Sequence, residues 1–202
     1  MTIASDGPVI TALRSRGAGR VDVELDGRSW RVVPVEAVLR TGLARGARLD
    51  RVTARALGRE LRRLKAQEQA LRALRARDHT AISLERRLGD RGAAPAVRRE
   101  TVAAAQRAGL VDDRRFALGR AVLLAGRAAG DAMISSDLER QGVQEEDILA
   151  ALAALEPESE RAGRIVAARG STVRTARYLA SRGFSEDALE TLVAELSADA
   201  IE

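Results

Sequence analysis

Apolar positions change period along this chain. Between residues 21 and 32 they alternate: Val21, Val23 and Leu25 share one face, Asp22 and Glu24 the other, and Trp30 and Val32 flank Arg31. Asp26-Gly27 separates the two runs, and both residues tolerate the positive φ of a tight turn, so the spacing predicts a β-hairpin. Val9 to Leu13 offers a third strand. A sheet this small needs support, and the helical runs Val35 to Leu43 and Leu49 onward supply it, joined by a loop over Ala44 to Arg48.

From residue 50 the period becomes helical. Leu57, Leu61, Leu64, Leu71 and Leu74 form a stripe at three-, four- and seven-residue spacings over residues 50–77, with Asp50 placed as N-cap. The opposite face carries Arg55, Arg59, Arg62, Arg63, Arg72 and Arg75. That face reads either as a solvated surface or as a phosphate-binding stripe.

The second half repeats. Leu88-x-x-x-Gly92, Leu138-x-x-x-Gly142 and Leu179-x-x-x-Gly183 are followed at matching offsets by Val102 and Ala105, Leu152 and Leu155, and Val193 and Leu196. A glycine just past an apolar helical pattern is a helix stop, because it enters the left-handed conformation without a Cβ clash. Each unit is therefore a helix, a glycine turn and a second helix: residues 79–111, 130–155 and 171–196. Helices over residues 113–127 and 157–169 precede the last two. Ser171 and Ser185 stand at N-cap positions, and Glu145 to Asp147 and Glu186-Asp187 suit first turns. The predicted fold is mainly α: tandem three-helix bundles resembling helix-turn-helix modules, in an elongated array, with a small N-terminal β-hairpin extension. The expected divisions are 1–49, 50–111, 112–156 and 157–202.

Composition narrows the class. The 202 residues are 46% hydrophobic but only 2% aromatic, so the core must come from aliphatic side chains and alanine. No apolar run approaches membrane-spanning length, no secretory signal is visible at the start, and a cytoplasmic protein is expected. Cysteine is absent, which removes disulfide and thiolate chemistry. Charge is uneven: residues 40–107 hold 18 basic and 7 acidic side chains, residues 108–202 hold 11 and 17. The basic block suits a polyanion and the acidic end repels one.

Candidate chemistry is sparse. His79 is the sole histidine and has no second histidine or cysteine to complete a metal site; a local polar contact at a helix start explains it better. No phosphate loop occurs. Asp112-Asp113 reads as helix capping. No catalytic group, cofactor or metal is expected, and a nuclease is disfavoured by the lack of convergent carboxylates.

The connector Gly109-Leu110-Val111-Asp112-Asp113-Arg114-Arg115-Phe116-Ala117 is a more specific word. Structurally, glycine ends one helix, Leu110 and Val111 enter the core, an aspartate caps the next helix and Phe116 packs one turn later. With the endings Arg91-Gly92, Gln141-Gly142 and Arg182-Gly183-Phe184, it resembles the RecX family of RecA regulators over residues 68–196. The family pattern places Gly109, Leu110, Val111, Asp112, Asp113, Phe116 and Ala117 in a structural motif. Two positions depart from it: Gln141 replaces a usual base, and Ala132-Met133 stands where a basic residue often precedes isoleucine. Residues 9–49 lie outside the pattern.

The resemblance implies a monomeric modulator lying in the groove of the RecA–single-stranded DNA filament, where it limits recombinase, ATPase and co-protease activity in DNA repair and the SOS response. Contact with single-stranded or duplex DNA is a second expectation. Candidate partner-facing residues are Arg86, Arg87, Arg91, Arg98 and Arg99 in the first repeat and Arg174, Arg177 and Arg182 in the third; each is also readable as an ordinary solvated charge. The alternative is a helix-turn-helix protein acting directly on DNA, which the acidic or alanine-rich second helices do not favour.

Overall fold

The computed structural model describes residues 7–190. It contains a three-stranded antiparallel sheet, β1 (Ile10–Ser15), β2 (Arg20–Leu25) and β3 (Arg28–Pro34), in the order β1-β2-β3. Helices follow: α1 (Val35–Thr41), α2 (Arg51–Ala76), α3 (Ala81–Asp90), α4 (Pro95–Arg107), α5 (Asp113–Ala125), α6 (Asp131–Arg140), α7 (Glu145–Ala153), α8 (Glu158–Arg169) and α9 (Val173–Ser181). Residues 186–190 begin a further helix. The mainly α fold with an N-terminal β element is as expected. The chain divides into two compact units, one of residues 1–72 with 88–101, the other of residues 73–87 with 102–202.

In the first unit Ile10, Val23, Val33, Ala37, Val38, Leu43, Leu49 and Leu57 form one core, with Leu61 and Leu64 partly buried against it. The hairpin turns at Asp26 and Gly27, both at positive φ. Two details differ from strict alternation. The β2–β3 register shifts between Val23 and Glu24, which leaves Trp30 as the extra residue of β3, 44% exposed. Asp22, placed on the polar face by its spacing, is buried, where Ser29 Oγ (2.7 Å) and Arg16 Nη2 (2.8 Å) donate to it. The Ser29 hydroxyl first, and Arg16 second, hold its carboxyl below the usual range.

Asp50 caps α2 as expected, accepting the Thr53 N–H at 2.7 Å. The leucine stripe of α2 is only partly inward. Leu71 is exposed, while Ala66, Ala70 and Ala73 are buried. Small side chains let neighbours approach the helix axis, which a count of leucines does not reveal.

The second unit holds two complete helix trios. Ala117, Ala121, Ala129, Ile134, Leu138, Val143, Ile148 and Ala151 form the core of α5, α6 and α7, with Phe116, Leu152 and Leu155 against it. Ala162, Leu179, Phe184 and Leu189 form the core of α8, α9 and the helix that follows. Val193 and Leu196 lie outside the described residues. At the connector, Asp112 caps α5 by accepting the Arg115 N–H at 2.9 Å, and Val111 is buried. Leu110 is not: it is 47% exposed. The Leu110 and Val111 N–H groups both point to the Ala105 carbonyl, at 2.9 and 3.4 Å, closing α4 in a turn from which Val111 alone faces inward. The cap of α9 is Thr172 rather than Ser171; its hydroxyl accepts the Thr175 N–H.

Candidate partner-binding surface

The recurring Leu-x-x-x-Gly word builds a junction between successive repeats, and it does so twice in the same way. Leu138 and Leu179 are fully buried, and the glycines four residues on, Gly142 and Gly183, both take φ of 79°. Each turn then presses on the first helical turn of the preceding repeat. A Cβ on Gly142 would stand 2.8 Å from the Ile82 Cβ, and one on Gly183 would stand 2.7 Å from the Met133 nitrogen. Gly92 has a similar φ of 80°, yet a Cβ there would meet nothing within 4 Å.

Hydrogen bonds complete both junctions. Thr80 Oγ1 donates to the carbonyl of Gln141 at 2.6 Å, and the Gly130 N–H donates to the carbonyl of Arg182 at 2.9 Å. The residue before each turn glycine therefore contributes its main chain, a role that either glutamine at 141 or arginine at 182 can fill. The first helical residue of the following repeat caps the helix: Asp113 accepts the Ala81 N–H at 2.8 Å and Glu158 accepts the Asp131 N–H at 2.6 Å. Burial raises the Asp113 carboxyl above its ordinary value, with the Ala81 N–H opposing and Asp147 adding to the rise.

Arg161 locks the second junction. Its side chain is buried, and it donates to the carbonyls of Ala129 (2.9 Å) and Glu156 (3.0 Å) and pairs with Asp131. The Phe184 ring lies 5.8 Å from its guanidinium. Sequence reading overlooked this residue; nothing separates it from the surface arginines except its place three residues into a helix that another repeat covers.

The candidate arginines fall into two groups. Arg86, Arg91, Arg99, Arg174 and Arg177 are exposed, and none has a side-chain hydrogen bond or ion pair to a described residue. Arg174 and Arg177 share one side of α9, three residues apart. Arg87 is half-buried near His79, whose basicity is lowered by burial first, then by Arg77 and Arg87. His79 itself bonds Ser83 at 3.0 Å. Arg98 and Arg182 are engaged structurally. Arg98 lies over Gly89, where a Cβ would meet its Nη1 at 2.5 Å. Arg182 donates through Nε to Ala128 O (3.0 Å) and through Nη2 to Arg127 O (2.8 Å), closing the carbonyl end of α5. The connector residues Gly109, Val111, Asp112, Asp113, Phe116 and Ala117 form the turn, caps and core contacts just described.

α5 exposes apolar side chains of its own. Leu118 and Val122, one turn apart, are 42% and 55% exposed, although the helix also buries Ala117 and Ala121 on its inner side. A helix apolar on both sides, one of them uncovered, suits a protein partner. Among the described residues no cluster of three or more His, Asp or Glu side chains is spaced for a metal, and no helix is long and apolar enough to cross a membrane.

No protein-family model and no curated protein sequence matches this chain. Its fold does match solved structures. One, a crystal structure of regulatory protein RecX, superposes with a TM-score of 0.77 and 21% identity, covering 93% of this chain and 99% of the other. Another, RecX from Lactobacillus salivarius, gives 0.58 and 18%, covering 68% and 97%. This chain has the RecX fold.

Proposed function

We propose that the chain is a member of the RecX family that binds RecA and its nucleoprotein filament and restrains recombination, ATP hydrolysis and co-protease activity. The observation that carries this reading is the superposition with regulatory protein RecX over nearly the whole of both chains. The surface agrees with a protein ligand. It offers uncommitted arginines on α9 and an apolar outer face on α5. Modules joined in series gain from a partner that repeats, because each further contact is intramolecular. Arginine forks meet carboxylates or phosphates on such a partner. The second helix of the middle repeat opens with Glu145 and Glu146 exposed, which opposes insertion into a DNA groove. The test is RecA on single-stranded DNA, with ATP hydrolysis followed as purified protein is added. Inhibition at stoichiometric amounts is expected; an unchanged rate rejects the reading.

A further inference from the structure

A pocket of about 320 Å³ lies at the second repeat junction, where the end of α5 meets α8 and α9. The end of α5 gives it Ala125 and Ala128. The third repeat gives it Ile165, Ala168 and the rings of Tyr178 and Phe184. Its charged members are Arg161, Arg164 and Arg169, and no acid is among the lining residues.

The three arginines are not equivalent. Arg161 pairs with Asp131, and Arg164 pairs with Glu156. Arg169 has no side-chain hydrogen bond or ion pair to a described residue; its guanidinium lies over the Tyr178 ring, 4.1 Å from the centroid. Stacking uses the face of a guanidinium and leaves its N–H edge to bind an anion. The Tyr178 hydroxyl also has no hydrogen-bond partner among the described residues. The pocket thus carries one uncompensated positive charge and one free hydroxyl beside two aromatic rings.

Backbone strain falls at the same place. The residues at positive φ that close α3, α4, α6, α8 and α9 are Gly92, Gly109, Gly142, Gly170 and Gly183. After α5 that position is Ala128, at φ 57°. A Cβ is unfavourable in this conformation, yet here it is kept, and Ala128 is part of the pocket wall. Strain of this kind gathers where a surface serves a ligand.

We propose that the pocket binds a small aromatic monocarboxylate. The single uncompensated charge selects a monoanion over a phosphate ester. The N–H edge of Arg169 and the Tyr178 hydroxyl suit the two carboxylate oxygens. The rings and the aliphatic wall suit a flat apolar body. A peptide is served less well: the carbonyls of Arg127, Ala128 and Ala129 at the end of α5 are taken by Arg182 and Arg161, so its N–H groups find no acceptors there. Because the wall comes from both the middle and the third repeat, a bound molecule ties the two together and stiffens their junction. The site stands apart from the filament reading.

Tyr178 is the only tyrosine of the chain, so protein grown with fluorotyrosine gives a single fluorine resonance that reports this pocket. The whole protein, without RecA, is titrated with naphthoate, naphthamide and naphthyl phosphate at constant ionic strength. Naphthoate is expected to shift the resonance saturably at millimolar concentration and to raise the melting temperature as it saturates. The neutral amide and the phosphate are expected to bind more weakly. Arg169→Gln should weaken naphthoate binding about tenfold. Ala168→Glu places a carboxylate in the pocket and should abolish binding. Both positions are exposed, so the melting temperature of the free protein is expected to stay at its wild-type value. The absence of a saturable shift overturns the proposal. So does an equal affinity for naphthamide, which reduces the pocket to an apolar crevice, or an unchanged affinity in both variants. Tighter binding of a short peptide ending in a phenylalanine carboxylate assigns the pocket to a protein chain end and overturns it as well. Because no recombinase is present, these outcomes are read separately from that of the ATPase assay.

Discussion

The carboxylate of Glu158 receives the main-chain N–H of Asp131 at 2.6 Å, so the first residue of α8 caps α6, the middle helix of the repeat before it. The same carboxylate takes the Ser185 N–H (3.2 Å) and hydroxyl (2.6 Å). Glu158→Ala removes all three at once. We expect a loss of about 2 kcal/mol, the upper range for a helix cap, measured by urea unfolding. A change below about 0.5 kcal/mol would show that water replaces the carboxylate freely.

The turn glycines separate conformational from packing demands. Gly92→Ala meets only the left-handed penalty, about 1–2 kcal/mol. Gly142→Ala and Gly183→Ala meet it too, and must also push Ile82 or Met133 aside. Both are predicted to cost more than Gly92→Ala by at least about 1 kcal/mol. Equal costs for the three, by denaturant titration, would remove the junction from the account.

Arg161→Met keeps the aliphatic stem but leaves the Ala129 carbonyl without its donor and Asp131 without its partner. The expected loss is about 3 kcal/mol, read from the urea midpoint. Arg174→Met, at an exposed position without partners, should stay within about 0.5 kcal/mol of wild type.

Acid sensitivity should begin at His79. Its folded value is lowered from 6.5 by burial and by Arg77 and Arg87, so below 6.5 the unfolded chain binds the proton first. Stability is full above 6.5 and declines as pH falls through that value toward the lower folded one. His79→Gln, which can still meet Ser83, should flatten the stability profile between pH 7.5 and 5.5. Asp137 works in the opposite range. The hydrogen bond from Arg120 holds its value below 3.8, so its contribution is lost only in stronger acid, as pH falls through that depressed value.

Much of this architecture is written locally and was legible as such. Asp26-Gly27, the leucine-glycine spacing and the Asp112 cap each act within a few residues, where sequence distance equals spatial distance. What stayed hidden depends on remote chain. Nothing near residue 113 announces that its carboxylate caps a helix 32 residues back. Arg182 and Arg177 look alike in sequence, yet the first is committed to the carbonyls of Arg127 and Ala128 and the second is exposed. Leu110 and Val111 are equally apolar, and only the turn geometry decides which is covered. Trp30 and Val32, the apolar pair that the spacing marks in β3, are both exposed, and Val33 between them and α1 is the buried one, because the strand turns its other alternate set to the core. The arginine face of α2 could be read as solvated or as phosphate-binding; that Arg63 is paired with a carboxylate from another helix appears only once Glu36 is seen beside it.

Co-sedimentation with RecA filaments, against naked single-stranded DNA at the same salt, tests the central claim most directly. Saturable uptake by filaments is expected at protein concentrations where bare DNA takes up far less, with a marked drop in that uptake for Arg174→Glu/Arg177→Glu. Filament uptake no greater than that of bare DNA would contradict it.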